Sequence, residues 1–181
     1  MPRINPVKIE TANQKTQEIL ATVKKKMGRV PNLISTMAQA PAVANAYLGF
    51  SQALATGNLP ARLREQIALA VGEANSCNYC VSAHTAIGKG VGLDETSALA
   101  ARQASAAEGR SQAALEFAQK LVQARGKVTD ADFNQLKTEG FSEGEIGEIV
   151  ANVALNIFTN YFNHVADTEI DFPVAPELVS A

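Results

Sequence analysis

The sequence predicts an all-α protein that folds as a single helical domain over residues 1–181. Alanine is abundant, and no stretch alternates apolar and polar residues for long enough to suggest a half-buried strand. Apolar residues recur instead at helical spacing, between residues that typically start and stop helices. A chain of 181 residues can also bury a core without staples, so the two cysteines are not needed as a folding framework.

The first half of the chain is predicted to contain five helices. Thr11 and Gln14 resemble a capping box at the start of the first helix, and Gly28 follows its basic last turn. Pro41 suits the first helical position of the third helix, and Ser76 is expected to cap the fifth. The expected ranges are about 12–27, 32–39, 42–56, 60–75 and 77–89.

Three further helices are expected between residues 94 and 140. Asp94 is a suitable cap for the first of them, which should end near Ser105. The small and polar residues of 105–110 could form a hinge between two helical layers. An amphipathic helix over 111–125 and a short helix that ends at Gly140 should follow.

The last helix is predicted over about 143–165, after a capping box formed by Ser142 and Glu145. It is apolar over most of its circumference. A helix of this kind is buried, either in the core or against another subunit, so we expect a homo-oligomer. The tail after Asp171 should be extended.

Composition excludes several classes of partner. Lys and Arg (16) nearly balance Asp and Glu (18), which leaves no electrostatic footprint for nucleic acid or an anionic membrane. No apolar run reaches the ~18 residues of a membrane helix, and the N-terminus lacks the apolar segment of a signal peptide. We therefore expect a cytoplasmic protein, and in that reducing compartment a close cysteine pair is more often catalytic or metal-binding than structural.

The candidate reaction centre is the segment that contains Cys77, Cys80 and His84. In a helix these residues fall at i, i+3 and i+7 and share one face. A thiol attacks as its thiolate, which the positive end of a helix and a nearby base both favour. Glu65 lies on the preceding helix, and antiparallel packing would let its carboxylate face His84 and orient the imidazole.

This arrangement suggests an order of events. Cys80, one turn from the base, attacks a peroxide oxygen and becomes a sulfenic acid. Cys77 condenses with it to a disulfide, and an external dithiol or protein reductant then resets the pair. The cycle needs no cofactor.

Other interpretations of the same residues are open. Cys77, Cys80, His84 and Glu65 could supply the four ligands of a zinc site. Glutamate is, however, an uncommon structural ligand beside thiolates, and the chain has no second Cys or His cluster, so we predict no metal.

Three more residues are candidates for a supporting role. Tyr79 lies between the thiols and could pack or act. Glu73 is a weaker second acid on the helix of Glu65, and His164 could line the site or satisfy carbonyls at the end of the last helix.

The spacing Glu65-x11-Cys77-x-x-Cys80-x3-His84 resembles the active-site motif of the alkyl hydroperoxidase D (AhpD)-like family, within the carboxymuconolactone decarboxylase-like superfamily. The segments 30–32 and 160–167 resemble the peroxidase-related branch of that family, so the similarity touches most of the chain.

The resemblance implies an AhpD-like helical bundle and obligate oligomers with sites near subunit interfaces. It also implies a peroxidatic Cys80, a resolving Cys77 and a Glu65–His84 proton relay. The best-known member carries a histidine next to the second cysteine, where this chain has Tyr79.

The leading functional hypothesis is thus a thiol peroxidase that acts on hydroperoxides. A second is a cofactor-free decarboxylase or isomerase of the carboxymuconolactone decarboxylase type, with Glu65 and His84 as acid and base. A third is a non-enzymatic oligomeric protein that senses redox state or holds zinc.

Overall fold

A computed structural model describes residues 1–178; that part of the chain is all-α, with no strands, as the sequence predicted. A 3₁₀ turn over Ile9–Thr11 precedes the first α-helix. The helices of the described residues are α1 Gln14–Met27, α2 Asn32–Met37, α3 Pro41–Ala55, α4 Ala61–Ala74, α5 Asn78–Gly90, α6 Glu95–Arg102, α7 Gly109–Gln123, α8 Asp130–Thr138 and α9 Glu143–Ala166. Each predicted helix is present, and the bounds shift by a few residues at most.

Helix α4 is the centre of the domain. It packs against α5, α6, α7 and α9, and Ile67, Leu69 and Val71 on it are fully enclosed. A helix surrounded in this way is fixed in position by contacts on nearly every side. Any side chain that α4 presents to a site, Glu65 among them, therefore starts from a rigid backbone.

Two hydrophobic cores lie on either side of this helix. One joins α4 to α6, α7, α8 and the first half of α9, with Leu115, Phe141 and Ile149 at its centre. The other joins α1, α2 and α3 to the start of α5, and both cysteines belong to it. The thiols are consequently buried among apolar side chains and are not displayed on a surface loop.

The helix caps confirm some of the local predictions and correct others. Ser142 and Glu145 form the predicted capping box of α9. The proposed box of Thr11 and Gln14 is wrong, because α1 begins later and the Asn13 side chain accepts from the backbone N–H of Thr16. Thr11 lies in the preceding 3₁₀ turn, where its hydroxyl donates to a backbone carbonyl of that turn.

Helix α9 is buried along a polar face, which the sequence analysis did not anticipate. Its enclosed side chains include Asn152, Asn156, Thr159, Asn160 and Asn163. Ile146, Ile149 and Val153 in its first half belong to the hydrophobic core, whereas Tyr161 keeps 57% and Val165 65% of its surface exposed. In its second half, α9 therefore contacts the rest of the molecule largely through amides and exposes several apolar side chains.

The C-terminal strap, residues 169–176, crosses the helices without helix or strand structure of its own. The Arg29 guanidinium forms an ion pair with Asp171 at 2.7 Å, and the backbone N–H of Ala175 donates to Ser82 Oγ at 3.1 Å. Arg102 donates to the carbonyl of Pro176 at 2.7 Å. These contacts tie the strap down along its length. The sequence predicted only that the tail after Asp171 is extended and did not anticipate these contacts; residues 179–181 lie outside the described part.

Among residues 1–178, no helix combines the length and apolar character that a membrane crossing requires.

Candidate active site

The turn between α4 and α5 sets the position of both thiols. Ser76 adopts a left-handed conformation (φ 54°), and its N–H donates to the Glu73 carbonyl. The N–H of Cys77 donates to the Gly72 carbonyl at 2.8 Å. This pair of hydrogen bonds is the Schellman arrangement, which closes α4 and reverses the chain within two residues.

The cap of α5 is Cys77 itself, so the prediction that Ser76 caps this helix is wrong. Cys77 Sγ accepts from the backbone N–H of Cys80 at 3.4 Å. Ser76 cannot fill that role because its left-handed backbone is needed to end α4. As a result one thiol sits at the N-terminus of α5 and the other in its first turn.

Gly72 allows the close approach of α4 and α5 beside the thiols. A Cβ at this position would lie 3.3 Å from a Val81 methyl group and 3.6 Å from Cys80 Cβ. Larger side chains would push the start of α5 away from α4 and carry the thiols with it.

The two thiols are reduced, buried and in contact. Cys77 donates to Cys80, with the sulfurs 2.8 Å apart. Asn163 on α9 donates its amide N–H to Cys80 Sγ at 3.2 Å. A disulfide bond is roughly 2.05 Å long, so closing one requires only a small further approach of the sulfurs.

The surroundings separate the two thiols chemically. The hydrogen bond from Cys77 lowers the pKa of Cys80 to about 6; burial opposes this, while the charge of His84 and the amides of Asn160 and Asn163 reinforce it. The pKa of Cys77 is raised, first because its thiol proton is held by Cys80 and then by burial. Near neutral pH, Cys80 is therefore the thiolate and Cys77 the thiol that stabilises it.

Glu65 and His84 form the predicted pair across α4 and α5. Glu65 Oε2 lies 2.7 Å from His84 Nδ1, and the side chains are 18% and 22% exposed. Burial opposes charge on the imidazole, but the Glu65 carboxylate and its hydrogen bond outweigh it, with help from Cys80, and the pKa of His84 is raised. Since Nδ1 is engaged, Nε2 is the ring nitrogen left to exchange a proton.

A cavity of about 50 Å³ brings Cys80 and His84 to the same space. Most of its wall is apolar and comes from α2, α3, α5 and the strap. The remaining lining residues are Met27, Pro31, Leu33, Ile34, Tyr47, Tyr79, Ala83, Ile87, Thr159 and Phe172. The reactive groups thus face a small, mostly apolar chamber.

Of the three supporting residues predicted from the sequence, the structure places only Tyr79 at the chamber. Tyr79 lines the chamber, but its hydroxyl accepts from the N–H of Leu33 and donates to Asp171 at 2.8 Å, so it points to the strap. Glu73 forms an ion pair with Arg102 at 2.7 Å, away from the thiols. His164 is exposed on α9. Neither Glu73 nor His164 is brought to the cysteines.

Several residues of the site were missed by the sequence analysis. Asn160 and Asn163 approach Cys80 from α9, and Tyr47 approaches from α3. Burial raises the pKa of Tyr47 to about 12, with the charges of Cys80 and Glu65 adding to the effect, so its hydroxyl keeps its proton. The asparagines had a signal in the sequence, because their helical spacing marks an inner polar face on an otherwise apolar helix.

Nothing in the described part of the chain forms a group of three or more His, Cys, Asp or Glu side chains suited to a metal ion. The nitrogen of His84 that faces Glu65 is already hydrogen-bonded. The two cysteines thus form a thiol pair, and Glu65 and His84 form an acid–base pair beside it.

Comparison with known proteins agrees with this architecture. The model of the carboxymuconolactone decarboxylase family matches residues 41–120, a span that contains Glu65, both cysteines and His84. No curated protein sequence matches the chain.

Solved structures match over nearly the whole length. An uncharacterized peroxidase-related protein with an alkylhydroperoxidase AhpD core, from Ralstonia eutropha JMP134, is 27% identical with a TM-score of 0.85, over 94% of this chain and 92% of that one. A peroxidase-related protein from Silicibacter sp. TM1040 is 23% identical with a TM-score of 0.80, over 92% of each chain. The debrominase Bmp8 is 25% identical with a TM-score of 0.79, over 93% of this chain and 92% of its own. Residues 41–120 therefore match the carboxymuconolactone decarboxylase family, and the chain has the fold of the AhpD-like peroxidase-related proteins.

Proposed function

We propose that the protein is a thiol-dependent peroxidase, with Cys80 as the attacking thiol and Cys77 as the thiol that closes the disulfide. The observation that carries the proposal is the asymmetry of the pair. Cys80 has a lowered pKa, contacts Cys77 at 2.8 Å and shares a chamber with His84. An unperturbed cysteine pair would lack both the thiolate and the adjacent acid.

In the first step the Cys80 thiolate attacks the terminal oxygen of a hydroperoxide. The O–O bond breaks, the sulfur gains a hydroxyl group and an alkoxide leaves. Protonated His84 donates its Nε2 proton to the alkoxide, so the products are a sulfenic acid, an alcohol and a neutral imidazole. Glu65 holds the ring and stabilises the imidazolium beforehand.

In the second step the sulfur of Cys77 attacks the sulfenic sulfur of Cys80. The S–O bond breaks, water leaves and a disulfide forms. The short distance between the sulfurs supports rapid closure, which protects Cys80 from further oxidation. An external dithiol or protein reductant then returns two protons and two electrons to the pair. A cytoplasmic location would supply such reductants.

The chamber suggests which hydroperoxides can react. Its walls are apolar and its volume is about 50 Å³, so it admits hydrogen peroxide or the reactive end of an organic hydroperoxide. A bulky substrate would need the strap to move, because Phe172 forms part of the wall.

The same thiol chemistry favours a second class of substrate. A thiolate can take a halogen from carbon to form a sulfenyl halide, while protonated His84 gives its proton to the carbon that loses the halogen. The second thiol then displaces halide from sulfur, closes the disulfide and returns a proton to the imidazole. Because the fold is similar to that of the debrominase Bmp8, dehalogenation should be tested beside peroxide reduction. Acid–base decarboxylation by Glu65 and His84 alone remains a third candidate from the family, and it would not require either thiol.

The test is peroxide consumption with a dithiol donor, in the wild type and in single variants. We expect Cys80→Ser to abolish turnover. Cys77→Ser should consume about one equivalent of peroxide and stop, because Cys80 is oxidised but no disulfide can form. Full activity of Cys80→Ser would contradict the proposal, and the same panel with a halogenated arene or a lactone acid identifies the alternatives.

A further inference from the structure

The amides of α9 raise a question that the thiol mechanism leaves unanswered. Asn152 and Asn156 donate their Nδ2 groups to backbone carbonyls one turn earlier, both at 2.8 Å. These two asparagines therefore satisfy their donors within their own helix. Asn160 and Asn163, on the same face, depart from this pattern where α9 reaches Cys80.

Asn160 and Asn163 each keep one polar atom without a partner. Asn160 Oδ1 accepts from Asn75 at 2.9 Å, which fixes the amide; its Nδ2 faces Cys80 and favours the thiolate but forms no hydrogen bond. Asn163 Nδ2 donates to Cys80 Sγ, which leaves its Oδ1 unpaired. Both side chains are almost fully buried. Leaving a buried amide group unsatisfied is unfavourable, so two such groups at one place call for an explanation.

The unpaired atoms are a complementary set, one donor and one acceptor. A hydroxyl group attached to Cys80 sulfur matches both, because its oxygen can accept from Asn160 and its proton can be donated to Asn163. The thiolate that precedes it can use only the donors. The site is thus better satisfied after the oxygen has been transferred than before.

We propose that Asn160 and Asn163 form an amide cradle that holds the oxygen atom delivered to Cys80 and presents the resulting sulfenic acid to Cys77. The inference rests on the proposed peroxidase function and adds two positioning residues to it. Before the reaction the Asn163 donor stabilises the thiolate; afterwards the cradle keeps the S–O bond oriented so that Cys77 can attack from the opposite side.

Other groups around Cys80 must be held constant in a test. The titratable groups that face it are Cys77 and His84 on the same turn and helix, Tyr47 on α3 and, through His84, Glu65 on α4. None of them is altered by a substitution on α9. A change in thiolate formation in an Asn163 variant therefore reports the amide.

The experiment uses Asn163→Leu and Asn160→Leu, each alone and in a Cys77→Ser background. Leucine has nearly the size of asparagine and brings no charge into the buried site, so a change in Cys80 reports the loss of the amide. Asn152→Leu is the matched control, since it removes a buried amide of the same face that does not touch sulfur. Thermal unfolding of all variants reports any purely structural effect.

Two readouts separate a cradle from a structural contact. The first is the pH dependence of Cys80 alkylation, which we expect to move to higher pH in Asn163→Leu and to stay in place in Asn152→Leu. The second is the lifetime of the sulfenic acid formed by one equivalent of hydrogen peroxide in the Cys77→Ser background. Loss of a hydrogen bond to such a group should shorten it about 10- to 100-fold in either cradle variant.

The outcomes are distinct. A normal alkylation profile and a lifetime within about twofold of the parent, in both variants, overturn the cradle while leaving the peroxidase proposal intact. Failure of the Cys77→Ser parent to form any sulfenic acid overturns the peroxidase proposal and the oxygen-holding role together. A lowered melting temperature with both readouts unchanged assigns the asparagines to structure alone and also overturns the cradle.

Discussion

Replacing Glu65 with glutamine removes one charge from the site and little else. Glutamine has nearly the same shape and can still hydrogen-bond His84 Nδ1, but it cannot stabilise an imidazolium as a carboxylate does. The two side chains are 2.7 Å apart and about four-fifths buried, so solvent screens the pair only in part. A charged hydrogen bond of this kind contributes about 1.5–3 kcal/mol, which corresponds to a roughly 10- to 150-fold loss of kcat/KM.

The direction of the pH effect follows from the two pKa shifts. Reaction requires Cys80 as thiolate and His84 protonated, so the rate should rise as pH passes the Cys80 pKa of about 6 and fall above the raised pKa of His84. In Glu65→Gln the pKa of His84 falls, and Cys80 loses part of its positive neighbour. The acid limb should therefore move to higher pH and the alkaline limb to lower pH. Both limbs describe the coupled pair and not one residue alone.

The assay is single-turnover oxidation of the reduced protein by hydrogen peroxide. Its rate is measured as the loss of free thiols at several pH values around neutrality. Glu73→Gln is the matched control, because this carboxylate lies on the same helix but pairs with Arg102 away from the thiols. The pH–rate profile of this control variant should have both limbs at the pH values of the wild type. If Glu65→Gln retains the rate and the profile of the wild type, the carboxylate does not support His84 and the relay is wrong.

Three other predictions concern the strap, the outer face of α9 and the N-terminal capping box of α9. Asp171→Ala removes the acceptor of Tyr79 and the partner of Arg29, so the strap should loosen and a bulky thiol reagent should alkylate Cys80 faster; an unchanged rate would mean that the strap does not limit access. Tyr161→Lys places a charge on the exposed apolar face of α9 and should shift sedimentation toward smaller species, whereas a wild type that already sediments as a monomer would refute the homo-oligomer. Ser142→Ala removes the capping box of α9 and should cost about 1 kcal/mol, seen as a melting temperature lower by roughly 2–4 °C.

The parts of the fold and site that the sequence predicted are those that depend on local rules. Helix starts such as Ser142 and stops such as Gly28 act within one turn, so the pattern locates them well. The Glu65–His84 contact was also predictable, because a tight turn between two helices forces antiparallel packing and brings a known spacing together. Every one of these inferences needs only the geometry of one helix or one hairpin.

The parts that were missed depend on contacts between distant segments. Hydrophobicity alone indicated that α9 is buried, but it could not tell a face that meets the core from one that meets another subunit. The contacts of the strap were not anticipated, because they join residues far apart in the sequence, such as Arg29 and Asp171. The cap of α5 was misassigned to Ser76 because the end of α4 and the start of α5 compete for the same residues.

The division of work between the two thiols depends on local and on distant contacts together. Cys77 occupies the N-cap of α5 and accepts a backbone N–H, a position that by itself lowers a thiol pKa. This position alone would favour Cys77 as the thiolate. The opposite order arises first because Cys77 gives its proton to the sulfur of Cys80, and then because the charge of His84 and the α9 amides of Asn160 and Asn163 act on Cys80. The direction of the proposed disulfide cycle is thus set mainly within α5, by the thiol–thiolate hydrogen bond and His84, and α9 and the Glu65–His84 pair reinforce it.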